Sequence, residues 1–61
     1  LNLPERAHAN DGLARAYRDL GDVDRAREYA GIGMSLYANL GVPEAGDMRA
    51  FLGMLADSDQ P

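Results

Sequence analysis

The stretch Gly12-Leu13-Ala14-Arg15-Ala16-Tyr17-Arg18-Asp19-Leu20-Gly21-Asp22-Val23-Asp24-Arg25-Ala26 decides the fold. Leu13, Ala16, Tyr17 and Leu20 fall at i, i+3, i+4 and i+7, which makes one apolar stripe on a helix. Gly21 ends that helix, because only glycine takes the left-handed conformation there without penalty. Asp22 then caps a following helix, and Asp24 favours its positive N-terminal end. Two helices joined by so short a turn must run antiparallel.

Working outward, the first helix is expected over Pro4–Leu20. Asn2 can cap it, with Glu5 as the reciprocal partner and Pro4 in the first turn. The second is expected over Val23–Leu40, with Val23, Ala26, Ala30, Gly33, Tyr37 and Leu40 along one face. Tyr29, Ile32 and Leu36 widen that face, so this helix should pack against neighbours on two sides. Gly31 and Gly33 each cost about 1 kcal/mol relative to alanine inside a helix. A close helix–helix approach is the expected compensation. Gly41 closes the helix, and a third follows over Pro43–Ala56, with Met48, Phe51, Leu52 and Leu55 as its stripe. Residues 57–61 read as a flexible polar tail. No alternating strand pattern occurs, so the expected class is all-α, with three antiparallel helices in one unit over residues 1–56.

Composition removes several functions. The chain has 61 residues, enough for one small domain with a marginal core. It has no cysteine, so neither disulfides nor thiol chemistry are available. His8 is the only histidine, and no plausible zinc ligand set exists. No metal or cofactor is expected. Ten acids against six bases give a net charge of −4, which argues against nucleic-acid or anionic-membrane binding by this segment. No apolar run is long enough to cross a bilayer, and a cytoplasmic location is expected. All six bases are arginine, and alanine and glycine are abundant, as in proteins encoded by GC-rich, for example actinobacterial, DNA. The chain begins at Leu1 without methionine and reads as a piece of something longer.

The helix–turn–helix pattern resembles the tetratricopeptide repeat, a unit of about thirty-four residues. The family's small and large apolar positions map onto Leu13, Ala14, Tyr17, Gly21, Ala26, Ala30 and Gly33, and Gly21-Asp22 with Ala26 matches its turn. Asn10 stands where the family usually has a large residue, the second-helix aromatic is displaced to Tyr29, and Leu40-Gly41-Val42-Pro43 replaces the usual terminal proline. More narrowly, Leu3-Pro4-Glu5-Arg6-Ala7-His8-Ala9, Gly12-Leu13-Ala14-Arg15 and Leu36 through Ala45 are similar to the C-terminal repeats of large actinobacterial transcriptional regulators. The resemblance implies a hairpin plus a C-terminal capping helix, closing a repeat array and presenting part of a groove to a protein or peptide partner. One repeat and a cap are fewer than the three or so usually needed for independent stability, so the isolated chain should self-associate or be weakly folded.

In that register His8, Asp11, Arg15, Arg18 and Asp19 face the concave, partner-binding side. Ordinary helix-face pairs, Asp11 with Arg15 and Arg18 with Asp22, explain the same residues as well. Asp11 stands where peptide-carboxylate-clamping members carry a base, which argues against such a clamp. His8 reads as a surface histidine, since general-base work needs a partner and a pocket. Met48 and Phe51 read as core, Met54 as exposed, and Tyr17, Tyr29 and Tyr37 as packing residues. Ser35 and Ser58 have no base nearby in sequence, and Gly31-Ile32-Gly33 lacks the lysine and strand of a phosphate loop. The expected function is a non-catalytic interaction scaffold, not an enzyme. The alternative is a small homodimeric module that buries the exposed faces of its second and third helices.

Overall fold

The computed structural model describes residues 2–58. Three helices follow one another: α1 over Leu3–Asp19, α2 over Val23–Leu40 and α3 over Glu44–Ser58. Among the described residues there is no strand. α2 is the central element, with α1 against one side and α3 against another. The unit measures 37 × 19 × 12 Å, so it is a flat layer of helices.

The punctuation follows from side-chain chemistry. Asn2 Oδ1 accepts a hydrogen bond from the Glu5 N–H at 3.0 Å, and Asp22 Oδ1 accepts from the Arg25 N–H at 3.1 Å. Each satisfies one donor that a helix start would leave unpaired. The first two helices end alike, on Tyr17-Xaa-Xaa-Leu20-Gly21 and Tyr37-Xaa-Xaa-Leu40-Gly41. Both glycines have positive φ, 82° and 69°. In each case the next N–H reaches back to the tyrosine carbonyl, Asp22 to Tyr17 at 2.9 Å and Val42 to Tyr37 at 3.3 Å. That is the reverse turn which lets orphan carbonyls bond instead of facing the next element bare. Pro43 lies in the turn before α3, not at its first position, because the Gly46 N–H bonds to the Pro43 carbonyl at 3.0 Å. α3 runs on through Ser58, so Asp57 and Ser58 are helical; the remainder of the expected tail lies outside the described residues.

The core contains Ala7 and Ala14 of α1, Ala26, Ala30 and Tyr37 of α2, and Met48, Phe51 and Leu55 of α3. The α2 and α3 stripes therefore lie where their periodicity puts them. The α1 stripe does not. Leu13 is 42% exposed and Leu20 is 78% exposed, while the smaller Ala7 and Ala14 point at α2. The cause is distance: α1 and α2 approach so closely that only small side chains fit between them. Gly33 marks the contact, since a Cβ there would sit 3.4 Å from the Asp11 backbone nitrogen and 3.6 Å from the Ala7 carbonyl oxygen. Leu13, assigned a packing role by the repeat pattern, is displaced to the flank; Ala14, Ala26, Ala30 and Gly33 are buried, and Tyr17 is half-buried.

Gly31 has no such neighbour within 4 Å, so close approach does not explain it. Gly31→Ala should therefore raise stability by about 0.5–1 kcal/mol, through helix propensity and a less flexible unfolded chain. Urea titration checks this, and a lower unfolding midpoint would contradict it.

Candidate functional site

His8, Asp11, Arg15 and Arg18 follow each other at intervals of three or four residues along α1, which lines them up on one face. That face turns toward α3, because both guanidinium groups sit over Phe51, Arg15 at 5.1 Å and Arg18 at 5.2 Å from the ring centroid. Phe51 is itself in the core, 2% exposed. One ring thus underlies two guanidinium groups whose side chains remain partly exposed.

The polar end of the strip is fixed from α2. Tyr37 is 1% exposed, and its hydroxyl donates to Asp11 Oδ2 at 2.8 Å. The same oxygen lies 3.0 Å from His8 Nδ1. With its single proton directed to Asp11, the hydroxyl accepts from His8, so Nδ1 carries a hydrogen. The His8 and Tyr37 rings meet edge to face, 5.5 Å apart at 75°. Asp11 uses its other oxygen, Oδ1, to accept from Arg15 Nε at 2.6 Å. Arg18 then bonds Asp19 Oδ1 through Nη2 at 3.1 Å and Nε at 3.3 Å. All five residues of the expected groove set belong to one strip, which runs from His8 through Tyr37, Asp11, Arg15 and Phe51 to Arg18 and Asp19.

Burial raises the Tyr37 phenol to about 12, reinforced by its bond to Asp11 and by the negative charge of that carboxylate. The hydroxyl is therefore a fixed proton donor across the ordinary pH range. Asp11 gains two directed partners, Tyr37 on α2 and Arg15 on its own helix, although its side chain remains 19% exposed. The exposed pairs Arg18–Asp19 and Arg27–Asp24 add little to stability by comparison.

Two features differ from the sequence reading. Arg18 pairs with Asp19, not Asp22; Asp22 instead caps α2 and lies 3.7 Å from Arg25. Tyr37 and Phe51, read only as packing residues, also orient the polar strip. A signal for Tyr37 was present: a tyrosine on a core stripe needs a partner for its hydroxyl once buried. Phe51 offered no signal, since its contact with α1 depends on how α3 crosses.

An open depression at the first turn, lined by residues Leu20 through Asp24, lies apart from this strip. Among the described residues no three His, Cys, Asp or Glu side chains are grouped to hold a metal ion. Nor is any helix long and apolar enough to cross a membrane. Comparison with family models, curated proteins and solved structures finds no match to this chain.

Proposed function

We propose that this chain is a non-catalytic interaction segment that binds a protein or peptide partner along the α1–α3 seam. The observation that carries this reading is the double stacking of Arg15 and Arg18 on Phe51. Two long cationic side chains are held in place without being buried, so the entropy of ordering them is already spent before a partner arrives. Asp11, fixed by Tyr37 and Arg15, and His8, fixed by Tyr37, extend the strip with oriented polar groups. Recognition needs such a pattern of fixed donors and acceptors. Catalysis would also need a reacting group, and the strip supplies no activated nucleophile.

The helical hairpin and its resemblance to a tetratricopeptide unit support the same reading, with α3 as the helix that closes the array. A larger cytoplasmic actinobacterial transcriptional regulator is the parent the resemblance favours. A continuous upstream reading frame encoding further helical repeats and a DNA-binding domain would support that parentage, and a nearby start codon would contradict it.

Binding is tested by selecting peptides against the chain and titrating the best of them calorimetrically. Arg15→Ala with Arg18→Ala should weaken binding at least about tenfold, the effect of losing one or two interface arginines. Their exposed side chains make the fold tolerant of the change. Undiminished affinity of the double variant would sink the seam as the binding surface.

A further inference from the structure

Arg15 and Arg18 are only partly committed to their own aspartates. A guanidinium carries five N–H donors. Arg15 gives its Nε to Asp11, which leaves both of its Nη nitrogens. Arg18 gives Nε and Nη2 to one oxygen of Asp19, which leaves Nη1 and the second hydrogen of Nη2. Among the described residues neither arginine makes a further hydrogen bond. Their side chains are 44% and 38% exposed, so these donors are open to a partner.

Acceptors are scarcer at this end of the seam. Asp11 engages both carboxylate oxygens, Oδ1 with Arg15 and Oδ2 with Tyr37. Asp19 engages Oδ1 with Arg18, and its Oδ2 is what remains of the two carboxylates. What the arginine end still offers is therefore mostly positively charged donors. Glu44 and Asp47, the acids in the first turn of α3, belong to the opposite end of the seam. Glu44 is close enough there for its charge to act on the Tyr37 phenol. Both guanidinium carbons lie within 5.2 Å of the Phe51 centroid, so they stand at most about 10 Å apart, the span of three extended residues. One short segment can meet both. Each arginine already holds a carboxylate, at 2.6 and 3.1 Å, which shows the kind of group it accepts in this setting.

We propose that the partner of the seam is an acidic peptide, which sets one aspartate or glutamate side chain on Arg15 and a second, close by in sequence, on Arg18. This rests on the seam being the binding surface and adds the chemistry of what binds there. A basic peptide is disfavoured, because it would meet the uncommitted donors with like charge. Asp19 then acts as a built-in competitor, since it occupies the Nε–Nη2 edge of Arg18 that an incoming carboxylate would otherwise take. The net charge of −4 opposes an acidic partner at long range, so the dissociation constant should be modest, on the order of 10–100 µM.

Peptides selected from an unbiased library against the whole 61-residue chain test the proposal. Aspartate and glutamate should be enriched among them. The best binder is then titrated calorimetrically beside its amide counterpart, in which every Asp is Asn and every Glu is Gln. The counterpart should bind at least about tenfold more weakly. On the Arg15→Ala, Arg18→Ala chain that difference should shrink to about twofold or less, because the carboxylates have no partner left to lose. Asp19→Asn, at a side chain 71% exposed, should tighten the acidic peptide about two- to fivefold by removing the competitor. Enrichment of basic peptides, or weaker binding on Asp19→Asn, would overturn the proposal. Equal affinity of acid and amide peptides, with binding still lost in the double alanine variant, would remove the acidic partner and leave the seam standing. Indifference to the double variant as well, or a library that yields no binder, would remove both.

Discussion

Phe51→Ala should unfold most of this chain at 25 °C. Phe51 is one of three buried side chains that α3 contributes to the core, and truncating a buried phenylalanine costs about 3–5 kcal/mol. A chain of 61 residues has only about 3–9 kcal/mol of total stability to lose. The deletion also removes the ring on which Arg15 and Arg18 rest, so the seam loses its order along with α3. Phe51→Leu keeps most of the volume and should cost about 1–2 kcal/mol, leaving the helices formed. Far-UV circular dichroism and urea titration of the two variants separate the cases. An alanine variant with the parent's unfolding midpoint would show that α3 is not anchored by this ring.

The second large effect concerns pH. Tyr37 is held up to about 12 in the folded chain, above its ordinary value near 10, first by burial and then by Asp11. A folded value above the unfolded one means the folded state favours the protonated phenol. The associated stability is fully present below pH 10 and is lost as pH rises from about 10 through about 12. Two pH units correspond to roughly 2–3 kcal/mol, much of the margin of so small a domain. Alkaline unfolding should therefore begin within this window. Tyr37→Phe removes the titrating proton and should flatten the stability curve between pH 10 and 12, while lowering stability near neutrality by about 1–2 kcal/mol through the lost bond to Asp11. Equal alkaline sensitivity in parent and variant would exclude Tyr37 as the cause.

Both effects depend on contacts that local sequence encodes unequally. Helix number, turn positions and the α2 and α3 stripes were legible, because Gly21, Gly41, Asn2 and Asp22 act through their nearest neighbours. The α1 stripe was misplaced. Periodicity chooses the largest side chains, but the α1–α2 contact is set by Gly33 and selects Ala7 and Ala14 over Leu13 and Leu20. No local pattern reveals an interhelical distance. The expected site was legible as a face of α1, since His8, Asp11, Arg15 and Arg18 share a helical period. Its organisation was not. Tyr37 meets His8 and Asp11 across 29 and 26 residues of chain, and Phe51 meets Arg15 and Arg18 only after two turns have brought α3 alongside.

Seam and hairpin face also make opposite demands on the same helix. α1 directs ordered polar groups toward α3 and bare aliphatic groups away from it, so binding at the seam can be told from binding at the hairpin face by where a perturbation appears. Amide chemical-shift mapping on the ¹⁵N-labelled chain, with a selected peptide added at constant protein concentration, tests the central claim most directly. The account predicts shifts at His8, Asp11, Arg15, Arg18, Asp19 and Phe51, with Leu13 and Ile32 unmoved. Shifts confined to Leu13, Leu20 and Ile32, with the seam silent, would contradict it.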